Sequence, residues 1–224
     1  EEEQIQVEAH AKMREIERYQ MQIAEKFYVA GLKEETKGNE KEARQNYKAA
    51  ASEYEKFLTL YEKSPGAPYA QLMWSHTQVH LKKVKTALRE GFQSVIDYWP
   101  ESHSANVAAY CIGDAYRKMG EVKKAKGAFQ FVLKEYPDTP LSLRSWLDLL
   151  HYARLHQDGD GILEILKGLT ENPGCVGAHL CGAYLSNRVR RKGLLDENDQ
   201  PYTEPIQKIR KVHRQVEAWV REQA

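Results

Sequence analysis

The sequence predicts an all-α chain, a solenoid of stacked antiparallel helix pairs with long helices at its N-terminus and a capping helix at its C-terminus. Three observations predict it. Gly31 is followed at 7, 12 and 16 residues by Gly38, Ala43 and Tyr47, and Gly113 is followed at the same intervals by Gly120, Ala125 and Phe129. Apolar residues keep helical intervals of three and four through long charged segments. Prolines then fall near the ends of these segments, at Pro65, Pro100, Pro137 and Pro173.

Helix packing explains the repeated spacing. Two antiparallel helices joined by a short turn need small residues where their backbones approach, which is the expected role of Gly31, Gly113, Ala43 and Ala125. Gly38 and Gly120 fall at the turn, where a left-handed residue closes the first helix. Tyr47 and Phe129 are the large side chains beside the small ones. Pro100 and Pro137 end the second helix of a pair. One pair cannot bury its apolar face alone, whereas stacked pairs can.

Taken in order, residues 2–36 read as one long helix, with Ala9, Ile16, Ile23 and Ala30 every seven residues. That stripe fits either a coiled-coil arm for self-association or an extended first helix lying along the solenoid. Residues 39–63 read as a second long helix, with Ala43, Ala50 and Phe57 in one row and Tyr47, Tyr54 and Tyr61 in the next. Residues 1–64 thus form a long first pair, and Ser64-Pro65-Gly66-Ala67-Pro68 breaks the chain after it.

Residues 69–83 and 85–98 form a degenerate repeat over 69–100. Its Phe92, Val95 and Pro100 lie 37 residues before Phe129, Val132 and Pro137, which puts His76 and Lys83 at the two glycine positions. Residues 104–119 and 121–135 form the best repeat, over 106–137. A fourth repeat spans 140–173, with helices at 140–156 and 160–171. Residues 175–224 hold an irregular last pair and the cap, helix 204–222, whose Ile206, Ile209, Val216 and Val220 share one face. All of this is expected to be a single domain over 1–224.

Composition excludes several functions. Lys and Arg number 33 against 32 Asp and Glu. A balance this even argues against a general nucleic-acid binder, and the basic clusters Lys82–Arg89, Lys123–Lys126, Arg188–Lys192 and Lys208–Arg214 read as solvated helix faces. Mean hydropathy is −0.69, and no apolar run approaches the roughly 20 residues of a spanning helix. The three cysteines neither demand nor exclude an oxidising compartment. Because Glu1 is not Met, the chain is expected to be a processed product or a piece, with any signal peptide or lipid anchor lying outside it.

Segment 106–139 (NVAAYCIGDAYRKMGEVKKAKGAFQFVLKEYPDT) resembles a tetratricopeptide repeat. Ile112, Gly113, Tyr116, Gly120, Ala125, Phe129 and Pro137 occupy that family's signature positions. The ending Tyr136-Pro137-Asp138-Thr139-Pro140, with its relatives Trp99-Pro100-Glu101-Ser102 and Tyr61-Glu62-Lys63-Ser64-Pro65, resembles the bacterial envelope members of the family. Those are the outer-membrane assembly lipoproteins and the Tol–Pal coordinators. The resemblance implies a right-handed superhelix and a periplasmic or outer-membrane-associated setting, with the cytoplasm as the alternative.

No catalytic constellation stands out. Asp158-Gly159-Asp160-Gly161 fails as a calcium loop, because His156 and Lys167 would take positions that need oxygen ligands; it reads instead as a turn and a helix N-cap. Cys175, His179 and Cys181 lack a fourth ligand for zinc. The cysteines read as small packing residues, with a Cys175–Cys181 disulfide at an unwound helix start as the alternative. His76 and His80 share a helix face with no third ligand nearby. Nucleophile-elbow, phosphate-loop and dinucleotide-loop patterns do not occur. We therefore expect no enzyme activity, no cofactor and no metal.

What remains is the surface that stacked repeats create. The resemblance implies an inner wall lined by the first helix of each pair. Carried over residue by residue, it offers Tyr28 and Leu32 in the first unit, Met73, Thr77 and His80 in the second, and Tyr110, Asp114, Arg117 and Lys118 in the third. Exposed aromatic, Met and Arg side chains there would anchor a partner protein, a peptide or helix in the groove. Asp114 stands where a family clamp for a peptide carboxylate would have asparagine. The expected function is a non-catalytic scaffold or adaptor in a bacterial envelope complex. The alternative is a self-assembling structural protein that uses 2–36 as its oligomerisation arm.

Overall fold

The structure is a computed structural model that describes residues 2–137, 139–156, 158–162, 164 and 165. Every regular element among them is helical. The chain divides into two units, Glu1–Ala128 and Phe129–Ala224.

The first unit departs at once from the single helix expected over 2–36. Helix α1 (Glu2–Lys12) ends, and α2 (Glu15–Thr36) starts after Arg14, whose backbone is extended at φ −66° and ψ 159°. Two contacts hold the break. The carboxylate of Glu17 accepts the backbone N–H of Arg14 at 3.0 Å, which satisfies one of the donors a helix start leaves over. Met13, 4% exposed, packs over Gly66, where any Cβ would fall on its sulfur. Glu17 is itself buried and also takes a hydrogen bond from Ser64 Oγ at 3.2 Å. The break is thus fastened to the loop after the next helix. A turn with no proline or glycine carried no signal in the sequence.

Helices α2 and α3 (Glu40–Leu60) form the first hairpin. The crossing is as the spacing predicts: a Cβ on Gly31 would overlap the ring of Tyr47. Ala43, Tyr47, Ala50, Tyr54 and Phe57 are all buried along α3. Gly38, at φ +80°, closes α2. Its N–H donates to Glu35 O at 3.0 Å and that of Asn39 to Glu34 O at 2.9 Å, the paired bonds of a Schellman turn.

Helix α4 (Ala67–His80) begins the second hairpin. Its return arm is one helical rod in three parts: α5 (Val84–Thr86), a π-helical segment (Ala87–Phe92) and α6 (Gln93–Tyr98). The turn repeats the geometry at Gly38, with Lys82 N–H to Val79 O and Lys83 N–H to Gln78 O, both 2.9 Å. Lys82 is the residue in the left-handed region, at φ 64°. The glycine positions of this repeat are therefore Ser75 and Lys82, one residue before the expected His76 and Lys83. Ser75 packs against Gly91, where an added Cβ would overlap its side chain. The π segment explains the slip. A π turn accommodates one extra residue, and Lys82 lies 18 residues before Pro100 whereas Gly120 lies 17 before Pro137.

Helix α7 (His103–Lys118) is capped by Ser102, whose Oγ accepts Ala105 N–H at 3.1 Å. Gly120, at φ +74°, ends it with the same pair of bonds, to Arg117 O and Tyr116 O. Helix α8 (Val122–Glu135) follows, with Ala125, Phe129 and Val132 fully buried.

In the second unit Thr139 Oγ1 accepts Ser142 N–H at 3.2 Å and starts α9 (Pro140–Leu155), with Pro140 in the first turn. Asp158 Oδ1 then accepts Gly161 N–H at 2.9 Å, so the Asp158–Gly161 stretch is a helix start. The expected helices over 160–171, 175–192 and 204–222 lie wholly or mostly outside the described residues, as do Cys175, His179 and Cys181.

Candidate functional site

The residues expected on the inner wall fall into three groups. Tyr28, Leu32 and His80 converge at the C-terminal ends of α2 and α4. Leu32 and Tyr28 pack on the cluster of Ala43, Tyr47 and Leu81. The His80 ring stacks on Tyr47 at 4.4 Å and meets Tyr28 edge-on at 5.8 Å. Its Nδ1 lies 2.9 Å from Glu35 Oε2. That carboxylate accepts only, so Nδ1 carries the proton, and Nε2 of the neutral ring faces the Tyr28 hydroxyl at 3.4 Å. Tyr47 also donates to Glu35 Oε2, at 2.6 Å.

The electrostatics of this knot follow from its packing. The Tyr47 hydroxyl bond, aided by His80 and Lys82, holds the Glu35 carboxyl below the ordinary range against the pull of burial. Burial lowers the pKa of His80, and Lys82 and Lys118 add to the lowering; Glu35 opposes them without cancelling them. Burial and the Glu35 carboxylate push the Tyr47 phenol far above its ordinary value. Glu35 and Tyr47 were missed as site residues. Tyr47 read as a core side chain and Glu35 as one acid in a charged run, although Glu35 is seven residues after Tyr28 and so shares its side of α2.

Asp114, Arg117 and Lys118 form the second group, on the last turns of α7. Asp114 pairs with Lys118 at 2.8 Å and with Arg117. Burial opposes its charge, but the hydrogen bonds from Lys118 and Arg117 outweigh that, and its carboxyl sits below the ordinary range. An acid held ionised here presents negative charge where a clamp for a peptide carboxylate would need a neutral donor.

Met73, Thr77 and Tyr110 are the third group, and for them the expected exposure is corrected. They are 6%, 0% and 7% exposed. Thr77 turns its hydroxyl onto its own helix, donating to Trp74 O at 2.6 Å. Inward positions copied along a repeat do not show which of them a neighbouring element covers.

A second polar centre lies nearer the N-terminal ends of the same helices. Glu25 Oε1 accepts from Gln6 Nε2 at 2.8 Å, His10 Nε2 at 2.8 Å and Tyr69 OH at 3.0 Å. It joins α1, α2 and α4 through one oxygen, and sequence reading gave no hint of it.

Among the described residues no group of three or more His, Cys, Asp or Glu is placed to hold a metal ion. Nor is any helix among them long and apolar enough to cross a membrane.

A family model, the tetratricopeptide repeat, matches residues 108–139. This is the segment of α7, its Gly120 turn and α8, and it supports a place for the chain in that repeat family. The match points to a protein–protein interaction module. No curated protein matches the chain.

Proposed function

We propose that the chain is a non-catalytic protein–protein interaction scaffold whose partner surface is the row formed by α2, α4 and α7. The observation that carries this reading is the repetition itself. Three first helices end in the same Schellman turn, at Gly38, Lys82 and Gly120. The last of them lies in the segment that matches the tetratricopeptide repeat. Arg117 and Lys118 are the accessible charged ends of that row, with side chains 40% and 70% exposed. The setting we propose is a bacterial cell-envelope complex, periplasmic or at the outer membrane. Its support is the sequence of the repeat endings at Tyr61, Trp99 and Tyr136.

The test is capture of a defined partner by the immobilised chain. A double substitution Arg117→Ala and Lys118→Ala should weaken capture about tenfold while leaving the helical spectrum unchanged, as loss of an interface anchor does. Unchanged affinity would remove this row as the partner surface.

A second reading, self-assembly, is favoured by one observation. Ile16 and Tyr19 on the first turns of α2 are 61% and 68% exposed. The arm would then be α2, since the chain breaks at Arg14. Light scattering should show an assembly that Ile16→Glu with Tyr19→Glu dissolves; a monomer throughout rejects it.

A further inference from the structure

Helix α1 lies on the row that the proposed function assigns to a partner. On α2, Glu25 precedes Tyr28 by three residues and Leu32 by seven. On α4, Tyr69 precedes Met73 by four and His80 by eleven, and on α7, His103 precedes Tyr110 by seven and Asp114 by eleven. These are intervals that keep residues on one side of a helix. Glu25, Tyr69 and His103 therefore continue the same three columns toward the helix starts.

Helix α1 reaches all three columns. Gln6 and His10 donate to Glu25, which also holds the Tyr69 hydroxyl, and Glu8 Oε2 pairs with His103 Nδ1 at 3.0 Å. The apolar side of α1 faces the same way. Ile5 and Ala9, four residues apart, are each 7% exposed, and they border a cleft with Pro68, Tyr69 and His103. Val7, on the opposite side, is 63% exposed.

The hold is light. An 11-residue helix is below the length that persists alone in water. The His103–Glu8 pair is solvated, with side chains 66% and 37% exposed, so it adds little. The extended residue Arg14 interrupts the helix between α1 and α2, and the buried contacts of Met13 and Glu17 lie at that break rather than along α1.

We propose that α1 is an internal ligand of this row, which a partner helix displaces. The partner helix fits by α1's own chemistry: apolar residues of small or middle size four apart, flanked by amide or imidazole donors that meet Glu25. This rests on the row being the partner surface, and it adds that the end of the row at Glu25, Tyr69 and His103 is occupied from within.

Two measurements on the full chain test it. In hydrogen exchange of the unaltered protein, α1 amides should exchange at least about tenfold faster than those of α4, as an element that opens on its own does. Equal protection in α1 and α4 would make α1 a fixed part of the fold and overturn the proposal. In the second, a fluorescent peptide of residues 2–14 is titrated into the full chain. It should bind an Ile5→Asp, Ala9→Asp variant at least about tenfold more tightly than the unaltered chain, and adding Glu25→Ala should abolish the gain. Equal binding to both chains overturns the proposal. So does failure to bind a variant whose α4 and α7 protection is intact, and should the variant unfold, the exchange result on the unaltered protein decides. Either negative result, with capture still sensitive to Arg117 and Lys118, rejects the internal ligand and leaves the scaffold standing. Capture indifferent to those two residues rejects the scaffold surface itself.

Discussion

The imidazole of His80 lies almost flat on the phenol ring of Tyr47, with centroids 4.4 Å apart and planes 18° from parallel. Both rings bond one carboxylate oxygen of Glu35. Three helices thus meet through one stacked pair and one anion. Glu35 belongs to α2, Tyr47 to α3 and His80 to α4.

Acid should loosen this junction. Burial lowers the pKa of His80 from its ordinary 6.5, so on acidification the unfolded chain takes up that proton first. Its contribution is whole above about pH 6.5 and declines as pH falls through the lowered native value. Glu35, lowered by the Tyr47 hydrogen bond from its ordinary 4.5, acts with the same sign in a more acid window. Thermal midpoints measured from about pH 7 down to about pH 5 should fall, and His80→Gln should flatten that slope. A slope unchanged by the substitution would place the acid sensitivity elsewhere.

Gly31 should tolerate no side chain while Tyr47 is present. Gly31→Ala puts a methyl into the Tyr47 ring and should cost about 1–3 kcal/mol in chemical denaturation. In a Tyr47→Leu background the same change should be close to neutral. Additive costs in that cycle would show that the two residues do not share one space.

Lys82→Gly should stabilise the chain by up to about 1 kcal/mol, because the lysine holds a left-handed backbone that glycine adopts without strain. Gly120→Ala should cost about 1 kcal/mol, although nothing lies within 4 Å of a Cβ there. Opposite signs for the two substitutions in urea titrations would isolate backbone conformation from packing.

Glu17→Ala should cost about 1–3 kcal/mol, since it strips partners from the Arg14 N–H and the Ser64 hydroxyl in a buried place. Arg14→Ala should cost less than about 1 kcal/mol, because that side chain is 73% exposed. Similar losses from both would mean that the ion pair, not the helix-start bond, holds the break.

The crossing and turn of the first hairpin, and the turn of the third, were legible because glycines mark them. Gly31 against Tyr47, and the turn glycines Gly38 and Gly120, sit where the spacing put them. The second hairpin was legible only in outline. Its left-handed residue is a lysine, its crossing pairs a serine with a glycine, and its surplus residue hides inside a helix, so counting back from Pro100 arrived one residue late. The break at Arg14 was invisible because a buried glutamate makes it, and Glu17 is only one of many acids in that stretch. Tyr28 and His80 were named through the resemblance to the repeat family, each as an inward position of its own unit, and the structure brings them together. Glu35 and Glu25, which organise the two polar centres, depend on contacts between elements distant in sequence, which no local pattern records.

The widened turn at Ala87–Phe92 bears on how such a chain tolerates change in length. An added residue in a straight rod would rotate everything after it by about 100° and turn its buried side outward. Taken up within one loosened coil, it leaves Phe92 and Val95 still facing inward, 1% and 0% exposed. The molecule can therefore carry an odd-length unit between regular ones, and the misfit travels no farther than a single turn.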